Sequence, residues 1–186
     1  MDQWEFEKLR SIEDIFKADS LNLLSISDPN EALLHHHQMI SDVMLSKDVD
    51  DDVKVQFEIS RNLFLYSFFY YRFGMTSFKQ AAAAAELGLR RYIGKPDNER
   101  ENTLKKLLRR AHSQGFINLK KIKPHLEPEE FIRILTDFRN SLAHGSHSLF
   151  SPTDCITFID DYAKILNDFY MYVRKQQLKS SLNGWE

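Results

Sequence analysis

This chain is poor in the residues that staple or turn a protein. Its 186 residues include one cysteine, five prolines and six glycines. With Cys155 alone no internal disulfide can form, which weighs against a small secreted domain and fits a reducing cytosol. All-β proteins need many tight turns, so scarce Gly and Pro argue for few, long elements. Long apolar runs are missing too. The most apolar stretch, LFLYSFFYY at Leu63–Tyr71, covers nine residues, whereas a bilayer-crossing helix needs about twenty. The start, MDQWEFEKLR, is too charged for a signal peptide. No glycine-rich phosphate loop, nucleophile elbow, zinc pattern or calcium loop occurs. The expectation is a soluble, cytoplasmic protein with no membrane, metal or cofactor.

What is there supports a core: 42% of residues are hydrophobic and 12% aromatic, ample for one domain. The net charge of −2 hides an uneven spread. Residues 1–60 carry 14 Asp/Glu against 5 Lys/Arg, and residues 90–133 carry 12 Lys/Arg against 6 Asp/Glu. A basic stretch of this kind either meets an anionic partner or is a solvated helix face.

Apolar spacing is helical throughout, with no alternating strand. Helices are expected from Gln3 to about Lys17 and from Pro29, with Asp28 as cap and Glu31 completing a capping box. The acidic KDVDDD precedes a third, at about Val53–Phe73, ended by Gly74. A fourth follows a Thr76 or Ser77 cap, runs through the alanines Ala81–Ala85 and closes at Gly94. A fifth opens at the Asn98–Glu101 capping pattern and stops near Gly115. NLKKIKPHLEPEE reads as a linker. A sixth helix begins near Pro128 and ends at Gly145. The last starts after a Ser151 cap with Pro152 at its first position and reaches about Leu178. The fold class expected is all-α, an up-and-down bundle of about six to seven helices. Residues 1–50 are read as an acidic helical extension, 51–178 as the bundle and 179–186 as a loose tail.

The stretch DFRNSLAHGSH, Asp137–His147, holds the densest chemistry. On a helical wheel Phe131, Leu135, Phe138 and Leu142 gather on one side, while Arg133, Asp137, Asn140 and His144 gather on the other. Arg139 lies on the flank, about 140° around the axis from His144. Spacing alone leaves two readings open: a polar surface stripe with an Arg133–Asp137 pair, or a site that binds phosphate and moves protons.

Arg139-Asn140-Ser141-Leu142-Ala143-His144, followed by Gly145, resembles the arginine-x4–6-histidine motif of the HEPN family (higher eukaryotes and prokaryotes nucleotide-binding domains). FKQAAAAAELGLRRYI is similar to that family's early core helix, and LKKLLRRAHSQGFI to its middle helix. The resemblance is diffuse over about residues 55–175 and sharp at 139–145. It implies an all-α HEPN bundle and metal-independent cleavage of single-stranded RNA by 2′-hydroxyl attack. By that resemblance Arg139 would stabilise phosphate charge, His144 would move protons and Asn140 would support them. It further implies a homodimer that pools two such sets, and a role as toxin or defence effector restrained by an antitoxin or regulatory protein. The alternative is a non-catalytic HEPN-like dimeric module that binds a partner protein or nucleotide. His147 is a second candidate proton carrier or a loop residue.

Other groups carry open alternatives. His35, His36 and His37 point about 100° apart on a helix and cannot close on one ion. Of the three, His37 is placed on the apolar side with Leu33, Ile40 and Met44. Lys105, Lys106, Arg109 and Arg110 either contact an RNA backbone or are neutralised by Glu101 and its neighbours. Glu86 is the only acid of the alanine-rich helix, available to Arg90 or Arg139. The aromatics Phe64–Phe73 either stack bases or form core and interface.

Overall fold

The computed structural model describes residues 9–23, 28–95, 99–143 and 150–183. Among these there are seven α-helices and no strand: α1 (Pro29–Ser41), α2 (Asp51–Tyr66), α3 (Phe73–Ile93), α4 (Leu104–Ser113), α5 (Leu119–Ile122), α6 (Pro128–Ala143) and α7 (Pro152–Asn183). The fold is an all-α helical bundle. Helix α3 is its centre, packing against α2, α4, α6 and α7. Its alanines Ala81, Ala82, Ala84 and Ala85 are fully buried, and side chains this small let the neighbouring helices approach closely. No helix among the described residues is long and apolar enough to cross a membrane.

Several helix ends follow local chemistry. The Asp28 carboxylate accepts the Asn30 N–H at 2.8 Å, with Pro29 next in line. Ser151 Oγ accepts the Asp154 N–H at 3.1 Å and donates to the Asp154 carboxylate at 2.7 Å. Each cap satisfies an amide that the helix itself leaves unpaired. Helix α4 ends where Gly115 turns to φ 75°, and the Phe116 N–H reaches back to the Ala111 carbonyl at 2.8 Å. Glycine suits that left-handed turn because it has no Cβ to clash.

Other boundaries differ from the periodic reading, each for a tertiary reason. Over the described part of the first expected helix, residues 9–17, the chain forms turns. Leu9, Ile12 and Phe16 stay exposed, and a short helix with no partner to bury its apolar face is marginal. The aromatic helix stops at Tyr66 rather than Phe73. There Asn22 Nδ2 donates to the Ser67 and Phe68 carbonyls at 2.8 and 3.0 Å, taking acceptors that further helix would use. Gly74 therefore falls inside the first turn of α3 instead of ending a helix. A Cβ there would lie 3.3 Å from Cys155 Sγ, so glycine lets α3 press against α7. The pattern near Asn98 gives a 3₁₀ turn, Glu99–Glu101, and α4 begins only after Thr103. The expected linker holds the short α5, capped by the Asn118 side chain, whose Oδ1 accepts the Lys121 N–H at 3.1 Å.

The histidine triplet also sorts differently. His36, not His37, is buried, together with Ala32 and Ile40. Its Nε2 lies 2.8 Å from the Phe64 carbonyl, and its ring stacks on Phe64 at 4.5 Å. Burial lowers its pKa, outweighing the carbonyl that favours its charge. A neutral imidazole donating from Nε2 closes the end of α2. His37 lies on the outside, beside Leu33, Leu34 and Phe69. Sequence periodicity chose the wrong face here because α1 docks on α2 through only part of its apolar surface.

The segment expected as an extension is tied to the bundle. Ile40, Val43 and Val49 belong to the main hydrophobic cluster. Asp50 accepts hydrogen bonds from Tyr170 Oη at 3.1 Å, Tyr92 Oη at 3.1 Å and Arg91 Nη1 at 2.8 Å. Burial disfavours the Asp50 charge, but these donors outweigh it and hold the carboxyl below its usual range. At the other end, α7 continues through residues 179–183 of the expected tail.

One buried acid gives the fold a pH signature. The Asp161 side chain is 2% exposed and its Oδ1 lies 3.0 Å from Lys123 Nζ. Burial raises its pKa to about 6, with Lys123 pulling the other way. An acid raised on folding holds a proton that the unfolded chain has already released. Stability is therefore lost as pH climbs between the ordinary value near 4 and about 6. This group should cost on the order of 3 kcal/mol across that window. Urea unfolding of wild type and Asp161→Asn at pH 4 to 7 checks it. The wild-type stability minus that of the variant should fall as pH rises; a flat or rising difference contradicts the assignment.

Candidate functional site

Helix α6 positions the residues singled out in the sequence. Phe131, Ile132, Leu135 and Thr136 are buried, and Phe138 packs edge-on against Phe150 at 5.0 Å. Tyr162 of α7 donates its hydroxyl to the Leu135 carbonyl at 3.2 Å, fixing the two helices together. Arg133, Asp137 and Asn140 are exposed on the far side. The ends of the Arg133 and Asp137 side chains are 3.9 Å apart, an exposed pair worth little.

Arg139 stands at the border between those faces, its side chain 40% exposed. Two acceptors orient its guanidinium: Glu86 Oε2 of α3 at 3.3 Å and Asn140 Oδ1 at 3.1 Å. Glu86, only 16% exposed, also binds Arg90 through its other oxygen. The carboxylate thus links two guanidiniums on neighbouring helices. The Arg139 charge is close enough to Tyr162 to oppose the rise in that phenol's pKa, which burial dominates. Arg139 and Asn140 are therefore together, while His144 and His147 lie outside the described residues.

Beside Glu86 opens a cavity of about 520 Å³ between α3 and the start of α4, with Arg90, Arg91 and Lys95 on its wall. Arg91 is engaged by Asp50 and Asp52, and their hydrogen bonds, Asp52 first, raise its pKa. Asn102 closes the cavity rim by accepting the Lys95 N–H and donating to the Lys95 carbonyl, both at 2.7 Å. Comparison with known protein families, curated proteins and solved structures finds no match.

The remaining candidates separate along the same lines. In α4, Lys106 pairs with Glu101 at 2.6 Å and Arg109 with Glu129. Arg110 donates to the carbonyls of Ile93 and Glu101. Neutralisation within the fold describes that face better than a free phosphate track. Of the aromatic run, Phe64 and Phe68 are buried. Tyr66 and Phe73 instead border an apolar hollow with Ile15 and Phe16. Among the described residues no group of His, Cys, Asp and Glu could hold a metal ion. Cys155 is buried, which pushes its thiol up to about 12 and leaves it unreactive.

The sequence offered Arg90 or Arg139 as a partner for Glu86 but gave Lys95 no individual role. The only signal for Lys95 was membership of the basic stretch. Spacing singles out Arg90 over Arg91 as the partner of Glu86, but nothing in one dimension shows that Arg91 is engaged by Asp50 and Asp52.

Proposed function

We propose that this protein is a metal-independent endoribonuclease of HEPN type, acting on single-stranded RNA. The observation that supports it most is Arg139, half-exposed and held by Asn140 and by Glu86, a residue that also lines a cavity with Arg90, Arg91 and Lys95. In this reading the ribose 2′-hydroxyl attacks the adjacent phosphorus and the P–O5′ bond breaks. The products are a 2′,3′-cyclic phosphate and a free 5′-hydroxyl, so no water, metal or other reactant enters. Arg139 supplies a permanent charge and a planar fork of donors that fits two phosphate oxygens. His144 carries a proton from the 2′-hydroxyl or to the leaving oxygen, a task to which an imidazole is chemically suited.

A single imidazole cannot do both jobs at once, so the reading includes a homodimer. Twofold symmetry presents one patch twice and would bring two Arg139–His144 sets to one cleft. A toxin or defence role, restrained by an antitoxin or regulatory protein, belongs to the same proposal.

A second reading is favoured by the Glu86–Arg139 pair itself. If that pair serves only to join α3 and α6, the chain is a non-catalytic module that binds a partner protein or nucleotide. Cleavage of a labelled single-stranded RNA in EDTA decides between them. Wild type should yield cyclic-phosphate ends, a 2′-deoxy substrate should stay intact, and His144→Ala should cut at least about a hundredfold more slowly. Equal rates for wild type and His144→Ala would remove the nuclease reading.

A further inference from the structure

We propose that the cavity beside Glu86 is a phosphate subsite. It would hold a backbone phosphate of single-stranded RNA flanking the scissile one, through Arg90 and Lys95. The inference rests on the nuclease reading and extends it to substrate recognition. Among the described residues lining the cavity, Glu86 is the only acid, against Arg90, Arg91 and Lys95. The three cations differ in how free they are. Arg91 is committed to Asp50 and Asp52. Arg90 is 52% exposed and bound by one oxygen of Glu86. Lys95 is 59% exposed, and its Nζ is 4.0 Å from Glu101, too far for a strong hydrogen bond.

Glu86 links the cavity to the candidate catalytic arginine through hydrogen bonds. Its two oxygens reach Arg90 and Arg139, so the guanidinium facing the cavity and the one on α6 are anchored to one carboxylate. A strand whose scissile phosphate meets Arg139 would pass its neighbouring phosphate over Arg90 and Lys95. Thr103 at the cavity wall makes no capping bond from its side chain, leaving the hydroxyl available as a further donor. Asn102 is unavailable, because its amide is spent on the Lys95 backbone. The ligand class is therefore a phosphodiester or phosphate ester, read by charge and not by base edges.

Binding of a 2′-O-methyl single-stranded RNA, which cannot be cut, tests the subsite by fluorescence anisotropy over a salt series. Three proteins are compared with wild type: Arg90→Ala/Lys95→Ala, Lys95→Glu alone, and Lys175→Ala/Lys179→Ala as a remote control. The first should lose on the order of tenfold in affinity, and its log–log salt slope should shrink by about 1.4, two phosphate contacts' worth for a single strand. Lys95→Glu leaves the Glu86 anchor intact and should weaken binding at least as much as removing one contact. The control should bind like wild type. Unchanged affinity and slope in both cavity variants would overturn the subsite. So would ATP binding that depends on Arg90 and Lys95 while RNA binding does not, which would make the ligand a mononucleotide. Cleavage of unmodified RNA separates the two claims. Cutting that persists with unaltered KM in both variants removes the subsite alone. RNA binding that needs Arg90 and Lys95 in a wild type that never cuts removes the nuclease reading alone.

Discussion

Arg139→Ala should lower RNA cleavage by at least about a thousandfold, while the folded protein loses under about 1 kcal/mol. Removing one preorganised donor from a developing oxyanion typically costs a hundred- to a thousandfold. A guanidinium supplies two donors and a full charge. The stability term is small because the side chain is 40% exposed and its ion pair with Glu86 spans 3.3 Å. After the substitution Glu86 still keeps Arg90, so no buried carboxylate is stranded. Lysine should not restore the rate, since an ammonium offers a point charge without the planar fork and cannot satisfy Glu86, Asn140 and a phosphate together. Single-turnover cleavage rates, read beside thermal melting of the same samples, separate the two effects. Cleavage by Arg139→Ala within a factor of a few of wild type would leave the arginine with a structural job only.

Gly88→Leu should be the most damaging single change to the fold, at about 3 kcal/mol or more. Gly88 sits in α3 where it crosses α7. A Cβ there would lie 2.9 Å from Leu166 Cδ2 and 3.2 Å from Tyr170 Cε2. Both neighbours are fully buried, and Tyr170 cannot swing away without breaking its hydroxyl bond to Asp50. Alanine already presses its Cβ on both of these buried neighbours, and the gain of about 1 kcal/mol in helix propensity offsets only part of that. Gly88→Ala should therefore lose stability, but much less than Gly88→Leu. Leucine adds three further carbons for which no space exists, and α3 and α7 must separate. Urea midpoints for the pair of variants check this. A leucine variant as stable as wild type would mean that these helices do not approach so closely.

The candidate site was partly legible before any coordinates. Arg139 and Asn140 are adjacent in sequence, and their placement near the end of an amphipathic helix follows from the spacing of Phe131, Leu135 and Phe138. Glu86 could be noticed as the only acid of its helix. Arg90, one turn on in the same helix, and Arg139 were both open as its partner; that Glu86 binds the two at once was not legible, because Arg139 is 53 residues away and helix spacing says nothing about which faces of two helices meet. The Tyr92, Tyr170 and Arg91 bonds to Asp50 were invisible for the same reason. Those bonds draw the end of the supposed extension into the bundle.

By itself, the order of residues determined the helical class and the capped starts at Asp28 and Ser151. It also placed the arginine and asparagine of the candidate site on one helix. These depend on interactions within a turn or two, where spacing and side-chain chemistry act locally. Only the tertiary structure decided that α2 stops at Tyr66, that His36 rather than His37 is buried, and that Arg139 and Arg90 share one carboxylate. Those outcomes depend on which helix faces dock and which carbonyls and charges that docking takes from water, and docking joins residues that no local pattern connects.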